Sequence, residues 1–251
     1  MKGRWRDGLN YMSKLTPLRL WNMVQLVSSY YLSKVSKKPL HFGMPTSIAL
    51  EPTTSCNLRC PECPSGLRSF SRPTGMLQQK TFEKVIDELA PRLSYLIFYF
   101  QGEPYLNPKF LEQVDYANQK GIYTATSTNA HFLNDKVAEA TVRSGLDRLI
   151  ISIDGTTQNT YEQYRKGGSL EKVISGTEKI VAWKKKLKSH TPHIIFQFLV
   201  VKPNEHQLDE VKALAKTLEV NEVAFKTAQI YDYEEGSELI PTIEKYARYK
   251  Q

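Results

Sequence analysis

Three thiols carry the most informative chemistry in this sequence. Cys56, Cys60 and Cys63 are its only cysteines, and all fall within the run Cys56-Asn57-Leu58-Arg59-Cys60-Pro61-Glu62-Cys63. An odd set of three cannot be consumed by disulfides. Three thiolates on one short loop suit a metal or an iron-sulfur cluster with one coordination position left open, which catalysis at a metal requires. Two plainer readings stand beside this one. The cysteines could pack as small apolar side chains, or join a histidine around a structural zinc. The five histidines, His41, His131, His190, His193 and His206, all lie more than ten residues from the run, which disfavours a compact zinc finger.

The elements that must hold this loop follow from the hydrophobic pattern. From residue 47 onward, strand and helix signals alternate. Short apolar runs at Ser47–Pro52, Tyr95–Phe100, Tyr123–Thr128, Arg148–Asp154, His193–Val201 and Glu222–Ile230 predict six strands. The second of these is continuously apolar and reads as a strand buried on both faces. Between them, helical periodicity marks Thr81–Ala90, Lys109–Lys120, Asn134–Ser144, a long interrupted stretch over Gln158–Lys188, and Glu205–Leu218. Gly121 and Gly145 stand where helix C-caps are expected. Such alternation predicts an α/β fold, a partial (β/α)6 barrel of parallel strands with an N-terminal helical extension. Ligands bind at the carboxyl ends of strands in folds of this kind.

The extension is a separate piece. With 41% hydrophobic and 24% charged residues the chain is an ordinary globular protein. Its net charge of +8 is concentrated in residues 1–46, where Lys2, Arg4, Arg6, Lys14, Arg19, Lys34, Lys37 and Lys38 face only Asp7. The remainder is nearly neutral, so no diffuse nucleic-acid footprint is present and no nucleic-acid partner is expected. Thr16-Pro17 reads as a helix N-cap and first turn, opening an amphipathic helix over Leu18–Leu32. That helix is too short and too polar to span a bilayer. It is expected to pack on this domain or a partner, with peripheral membrane contact through residues 16–38 as the other reading. No signal peptide is evident, and three free thiols suit a reducing, cytoplasmic location. The organisation expected is therefore a basic extension over 1–46, a core over 47–233, and over 234–251 the start of a C-terminal segment, read as truncated.

The loops after the predicted strands complete the pattern. After the second comes Gln101-Gly102-Glu103-Pro104, at the third Ser127-Thr128-Asn129, and at the fourth Ser152-Ile153-Asp154-Gly155. Together with the cysteine run, and in this order, they resemble the radical S-adenosylmethionine enzymes over roughly residues 47–230. The resemblance implies that Cys56, Cys60 and Cys63 hold three irons of a 4Fe-4S cluster, with the fourth iron left for S-adenosylmethionine. It also implies reductive cleavage to methionine and a 5′-deoxyadenosyl radical that abstracts hydrogen from a substrate, with an electron donor such as a flavodoxin or ferredoxin.

Roles for further residues follow from the same resemblance. Gly102 would let the backbone approach the methionyl amine, and Glu103 would accept from it. Ser127, Asn129 and Ser152 would serve the ribose or carboxylate, and Arg165 would pair with the methionyl carboxylate. Two positions depart from the commonest pattern. Gln101 stands where glycine is usual, so its amide is expected to reach the ribose, and Glu62 replaces a frequent aromatic before the last cysteine. Asp154 is read equally as a helix N-cap or a ligand, and Glu51 equally as a wall of the site or a loop hydrogen-bond partner. The layout looks most like the branch carrying a cysteine-rich C-terminal SPASM region, which includes peptide-modifying and sulfatase-maturating enzymes. No cysteine follows Cys63, so no auxiliary cluster has ligands in this sequence. A peptide, protein or small-molecule substrate is expected, with a lipid-linked or envelope substrate and a non-enzymatic metal-binding scaffold as the alternatives.

Overall fold

The computed structural model describes residues 2–231, 234 and 236–249. Six strands, β1 (Ser47–Ala49), β2 (Tyr95–Ile97), β3 (Tyr123–Thr128), β4 (Arg148–Ser152), β5 (His193–Val200) and β6 (Glu222–Thr227), form one sheet in sequence order. Every neighbouring pair is parallel. Parallel neighbours need helical crossovers, and α3 (Pro64–Leu67) with α4 (Gln79–Leu89), α5 (Phe110–Gln119), α6 (Asp135–Arg143), α7 (Gln158–Tyr164) with α8 (Leu170–Lys186), and α9 (Leu208–Thr217) supply them. The result is the expected partial (β/α)6 barrel. The expected boundary at residue 233 lies outside the described residues.

Helix ends are set by the capping residues that the sequence offers. Asn134, Thr157 and Ser169 each accept a backbone N–H at the start of α6, α7 and α8. Gly121 and Gly145 end α5 and α6 with φ of +68° and +72°, a conformation costly for any residue with a Cβ. The helices bury Phe82 and Ile86 of α4, Phe110 and Val114 of α5, and Val173 and Ile180 of α8 against the sheet. Phe98 joins this core, with its ring 5.6 Å from those of Phe82 and Phe110.

β2 is shorter than its apolar run predicts. Phe98 still donates its N–H to Ala125 O at 2.8 Å, but the chain then leaves the sheet, and Phe100 is 77% exposed. It leaves because Glu103 N is bonded to Ser55 O at 2.8 Å, which draws residues 99–103 over the cysteine loop.

Two helices make up the N-terminal extension, α1 (Lys2–Ser13) and α2 (Pro17–Ser36). Only the second was marked by apolar periodicity. Thr16 caps it as predicted, its side chain accepting from Arg19 N, and it runs one turn beyond the expected Leu32. α1 is held by polar contacts and by the Tyr11 ring, which meets those of Tyr95 and Tyr123 edge-on. Asp7 pairs with Arg148 and accepts from the Tyr123 hydroxyl, Lys14 Nζ reaches Asp147 at 2.6 Å, and Arg4 reaches Glu222 at 2.5 Å. Tyr123, Arg148 and Glu222 begin β3, β4 and β6, so α1 lies across the amino-terminal mouth of the barrel. Arg19, 3% exposed, then bonds the carbonyls of Lys14, Ala90, Lys120 and Gly121, fixing α2 to loops at that same end. The opposite end, where the strands point their carboxyl termini, stays open.

Candidate active site

At that open end a cleft of about 110 Å³ is bordered by Cys56, Cys60 and Cys63 together with Gly102, Glu103, Ser127, Asn129, Ser152 and Arg165. These come from five separate stretches of sequence, and the barrel closes them on one another. The cysteine loop is bound on each side. Arg59 N donates to Lys166 O at 3.0 Å, and Thr54 N to Gly75 O at 3.2 Å. α3 then packs so tightly on the loop that a Cβ on Gly66 would stand 2.5 Å from Cys60 O.

Each thiol has a polar neighbour. Leu58 N lies 3.5 Å from Cys56 Sγ, Arg165 Nη1 lies 3.8 Å from Cys60 Sγ, and Cys63 Sγ donates to Gln101 Oε1 at 3.5 Å. Burial pushes the Cys56 thiol up to about 11 and raises that of Cys60 as well. Such thiols stay protonated on their own and release their protons to solvent when a bound cation stabilises the thiolates. Among the described residues no three His, Cys, Asp or Glu side chains converge on a single-ion position. One zinc would draw all its thiolates to about 2.3 Å, whereas a cluster takes one thiolate per iron. The donor set therefore fits a 4Fe-4S cluster better than a mononuclear metal.

Gly102 is where the second loop crosses the first. Its φ is +80°, and a Cβ there would fall 2.1 Å from Thr53 O. Its N–H donates to Ser65 Oγ at 2.9 Å. Next to it Glu103 is buried and accepts from the Thr128 hydroxyl at 2.7 Å, Asn129 N at 2.8 Å and Tyr105 N at 3.3 Å. Desolvation outweighs those three bonds and pushes the carboxyl up to about 7. A cationic group entering the cleft would restore the charge of Glu103.

The remaining sequence-predicted residues divide into two groups. Ser127 and Ser152 border the cleft, and among the described residues no group is hydrogen-bonded to their hydroxyls. Asn129 borders it too, donating to Asn57 Oδ1 at 2.8 Å and accepting from His131 N at 3.1 Å. Arg165 lines the cleft, yet its Nε is bonded to the buried Asp154 at 2.5 Å. Burial opposes its charge, but Asp154 and Cys60 outweigh that and keep it protonated. Asp154 caps no helix, since Thr157 caps α7; it also accepts from Leu199 N at 2.7 Å and thereby ties Arg165 to β5. Gln101 does not itself border the cleft, but its side-chain carbonyl accepts from two groups that do, Ser65 Oγ at 3.1 Å and Cys63 Sγ at 3.5 Å. Glu51 is a loop partner, accepting from Gln101 N and Arg72. Glu62 accepts from Tyr231 N at 3.0 Å.

Ser65, Tyr99 and Thr128 also shape the cleft and were not anticipated. The Ser65-Gly66 pair directly after Cys63-Pro64 was the available signal, since a small hydroxyl followed by glycine at a helix start suits a tight crossing. A larger cleft of about 620 Å³ lies at the other end of the barrel, bordered by Asp7, Asp147 and Lys184. It receives none of the strand-end motifs, and both its carboxylates are already paired.

The chain is similar to known proteins in both sequence and fold. The chain is 32% identical over 135 residues to the AdoMet-dependent heme synthase of Methanosarcina barkeri, which covers 53% of this chain and 38% of the relative. It is 30% identical over 171 residues to the mycofactocin maturase MftC of Mycobacterium ulcerans, covering 68% of this chain and 44% of that protein. The chain thus spans less than half the length of these two relatives. In fold it matches Streptococcus suis SuiB bound to S-adenosylmethionine, with a TM-score of 0.66 at 13% identity, over 84% of this chain and 47% of that one. The model of the Radical SAM superfamily matches residues 50–214, from the end of β1 into α9, a span that holds all three cysteines and every strand-end loop of the cleft. By that match, and with its cysteines gathered as the family's 4Fe-4S cluster and S-adenosylmethionine require, the chain belongs to the radical SAM superfamily.

Proposed function

We propose that this protein is a radical SAM enzyme acting on a peptide. The observation that carries the reading is the meeting of three thiols with Gly102, Glu103, Ser127, Asn129, Ser152 and Arg165 around one cleft at the carboxyl ends of the strands. Cys56, Cys60 and Cys63 would hold a 4Fe-4S cluster, leaving one iron for the amino and carboxylate groups of S-adenosylmethionine. When bound, the cluster supplies the electron that splits S-adenosylmethionine and so starts hydrogen abstraction from the substrate.

The chain's own residues then bind and orient. The Glu103 carboxylate, held by Thr128 and Asn129, accepts from an N–H of the methionyl amino group. Arg165, kept charged and aimed by Asp154, attracts the methionyl carboxylate. Ser127 and Ser152 offer unpaired hydroxyls to the ribose. Gln101, bonded to Ser65, serves this group from behind by fixing the crossing of the two loops. Residues 47–233 form the catalytic unit, 1–46 the helical extension and 234–251 the start of a C-terminal segment.

A peptide substrate is favoured by the relatives, which include mycofactocin maturases and the PqqA peptide cyclase of Rhodopseudomonas palustris, and by the likeness to SuiB bound to its precursor peptide SuiA. The electron donor is of the flavodoxin or ferredoxin kind, and the free thiols favour a cytoplasmic site of action. Anaerobic reconstitution should load about four irons per chain and yield 5′-deoxyadenosine under reduction. Cys60→Ala should lose both; a variant that keeps them would refute the assignment.

A further inference from the structure

α2 is an amphipathic helix turned inside out. On the face against the barrel, the fully buried positions are polar and only Met23 and Leu26 are half-buried apolar residues. Arg19, Asn22 and Ser29 are its buried residues, and Asn22 clamps the backbone of Met44 with bonds of 2.8 Å in each direction. The opposite face is apolar, and Leu20, Trp21, Val24, Val27, Tyr31 and Val35 recur along it at helical spacing, each between 46% and 83% exposed. Helices of water-soluble domains bury the apolar stripe instead. α1 repeats the pattern with Trp5, Leu9 and Met12 exposed. Contiguous apolar residues exposed along one helix face mark a docking surface.

The surrounding charge selects the partner. From Gly8 through Leu50 the sequence contains no Asp or Glu, while Lys34, Lys37 and Lys38 stand exposed at the end of α2. Lys34 Nζ lies over the Tyr30 ring at 5.4 Å, which places cation and aromatic ring together at the rim. Apolar residues flanked by Trp, Tyr and Lys, without a carboxylate, match the headgroup zone of an anionic bilayer. Among the described residues no helix is long and apolar enough to cross a membrane, so contact would be on the surface.

We propose that the exposed face of α2, rimmed by Lys34, Lys37 and Lys38, docks this protein on anionic lipid bilayers. Because α2 is fixed through Arg19 to loops at the amino-terminal end of the barrel, docking turns the cysteine cleft away from the bilayer. The bound enzyme then meets substrates from solution, not groups embedded in the membrane.

Flotation of the full chain with vesicles tests this. One set is phosphatidylcholine alone, and the other is an equal mixture with phosphatidylglycerol. The wild type should float with the anionic vesicles only. Lys34→Gln, Lys37→Gln and Lys38→Gln together should weaken partition roughly 100-fold, since each cation near such a surface contributes about a fivefold factor. Trp21→Glu with Val27→Glu should abolish flotation while circular dichroism stays unchanged. The exposed lysine triple variant carries the test if that second variant misfolds. Absence of flotation, equal flotation with neutral vesicles, or a stable dimer in solution that Trp21→Glu with Val27→Glu disperses would overturn the proposal.

Discussion

Replacing Gly102 by alanine tests whether the two loops of the cleft hold each other in place. Its φ of +80° costs an L-residue about 1–2 kcal/mol. The added Cβ would stand 2.1 Å from Thr53 O, where ordinary contacts begin at 3.4 Å, so one loop must move by more than an ångström. Neither flanking bond survives that shift. Gly102 N to Ser65 Oγ and Glu103 N to Ser55 O contribute about 1 kcal/mol each. The total is about 3–4 kcal/mol, which in a chain of this size lowers the melting temperature by roughly 10 °C. Gly167 provides the control. Its φ is +78°, but nothing lies within 4 Å of its Cβ position, so Gly167→Ala carries the backbone cost alone, about 4 °C. Thermal unfolding of the cluster-free proteins by circular dichroism under reducing conditions compares them. A Gly102→Ala protein that melts within a few degrees of Gly167→Ala would show that the crossing does not hold the loops.

Two further predictions concern buried charge. Glu103 has its carboxyl raised from 4.5 to about 7, so the folded, cofactor-free protein binds a proton more tightly than the unfolded chain. Its contribution to stability is therefore present below pH 4.5 and is lost as pH rises toward 7, by about 3 kcal/mol in all. Urea midpoints measured across pH 4.5–8 should fall on this account and flatten in Glu103→Gln; parallel profiles would contradict it. Arg19→Met removes the donor shared by four carbonyls and should cost about 3–5 kcal/mol. It should also expose residues 2–36 to limited proteolysis before the barrel, and simultaneous digestion of both would count against the role assigned to Arg19.

Much of the architecture was legible in the sequence because parallel strands and their helices write their burial as periodicity. β3 was read to the residue, since Gly121 and the motif at Ser127 bound it on both sides. β2 was read three residues too long, because the apolar residues after Ile97 serve the core and the crossing over the cysteine loop, not a ladder. α1 escaped because its attachment is by Asp7 and Arg4, by Lys14 just beyond its end and by the single ring of Tyr11, and such contacts leave no periodic trace. At the cleft, residue types and order were enough to name the three cysteines and the loops that meet them. The partners of those side chains were not readable. Nothing in the sequence indicates that Asp154 would hold Arg165 from eleven positions away, or that Gln101 would turn toward Ser65. The inverted face of α2 was visible as an amphipathic pattern, but only the fold reveals which face is covered.

The most direct test of the central claim is electron paramagnetic resonance of the reconstituted, dithionite-reduced protein before and after S-adenosylmethionine is added. A cluster held by Cys56, Cys60 and Cys63 with one iron free should give a reduced 4Fe-4S signal whose g-values shift when the ligand occupies that iron. Cys63→Ala should lose the signal. A wild-type signal that S-adenosylmethionine leaves unchanged would contradict the account, because no coordination position would then be open to it.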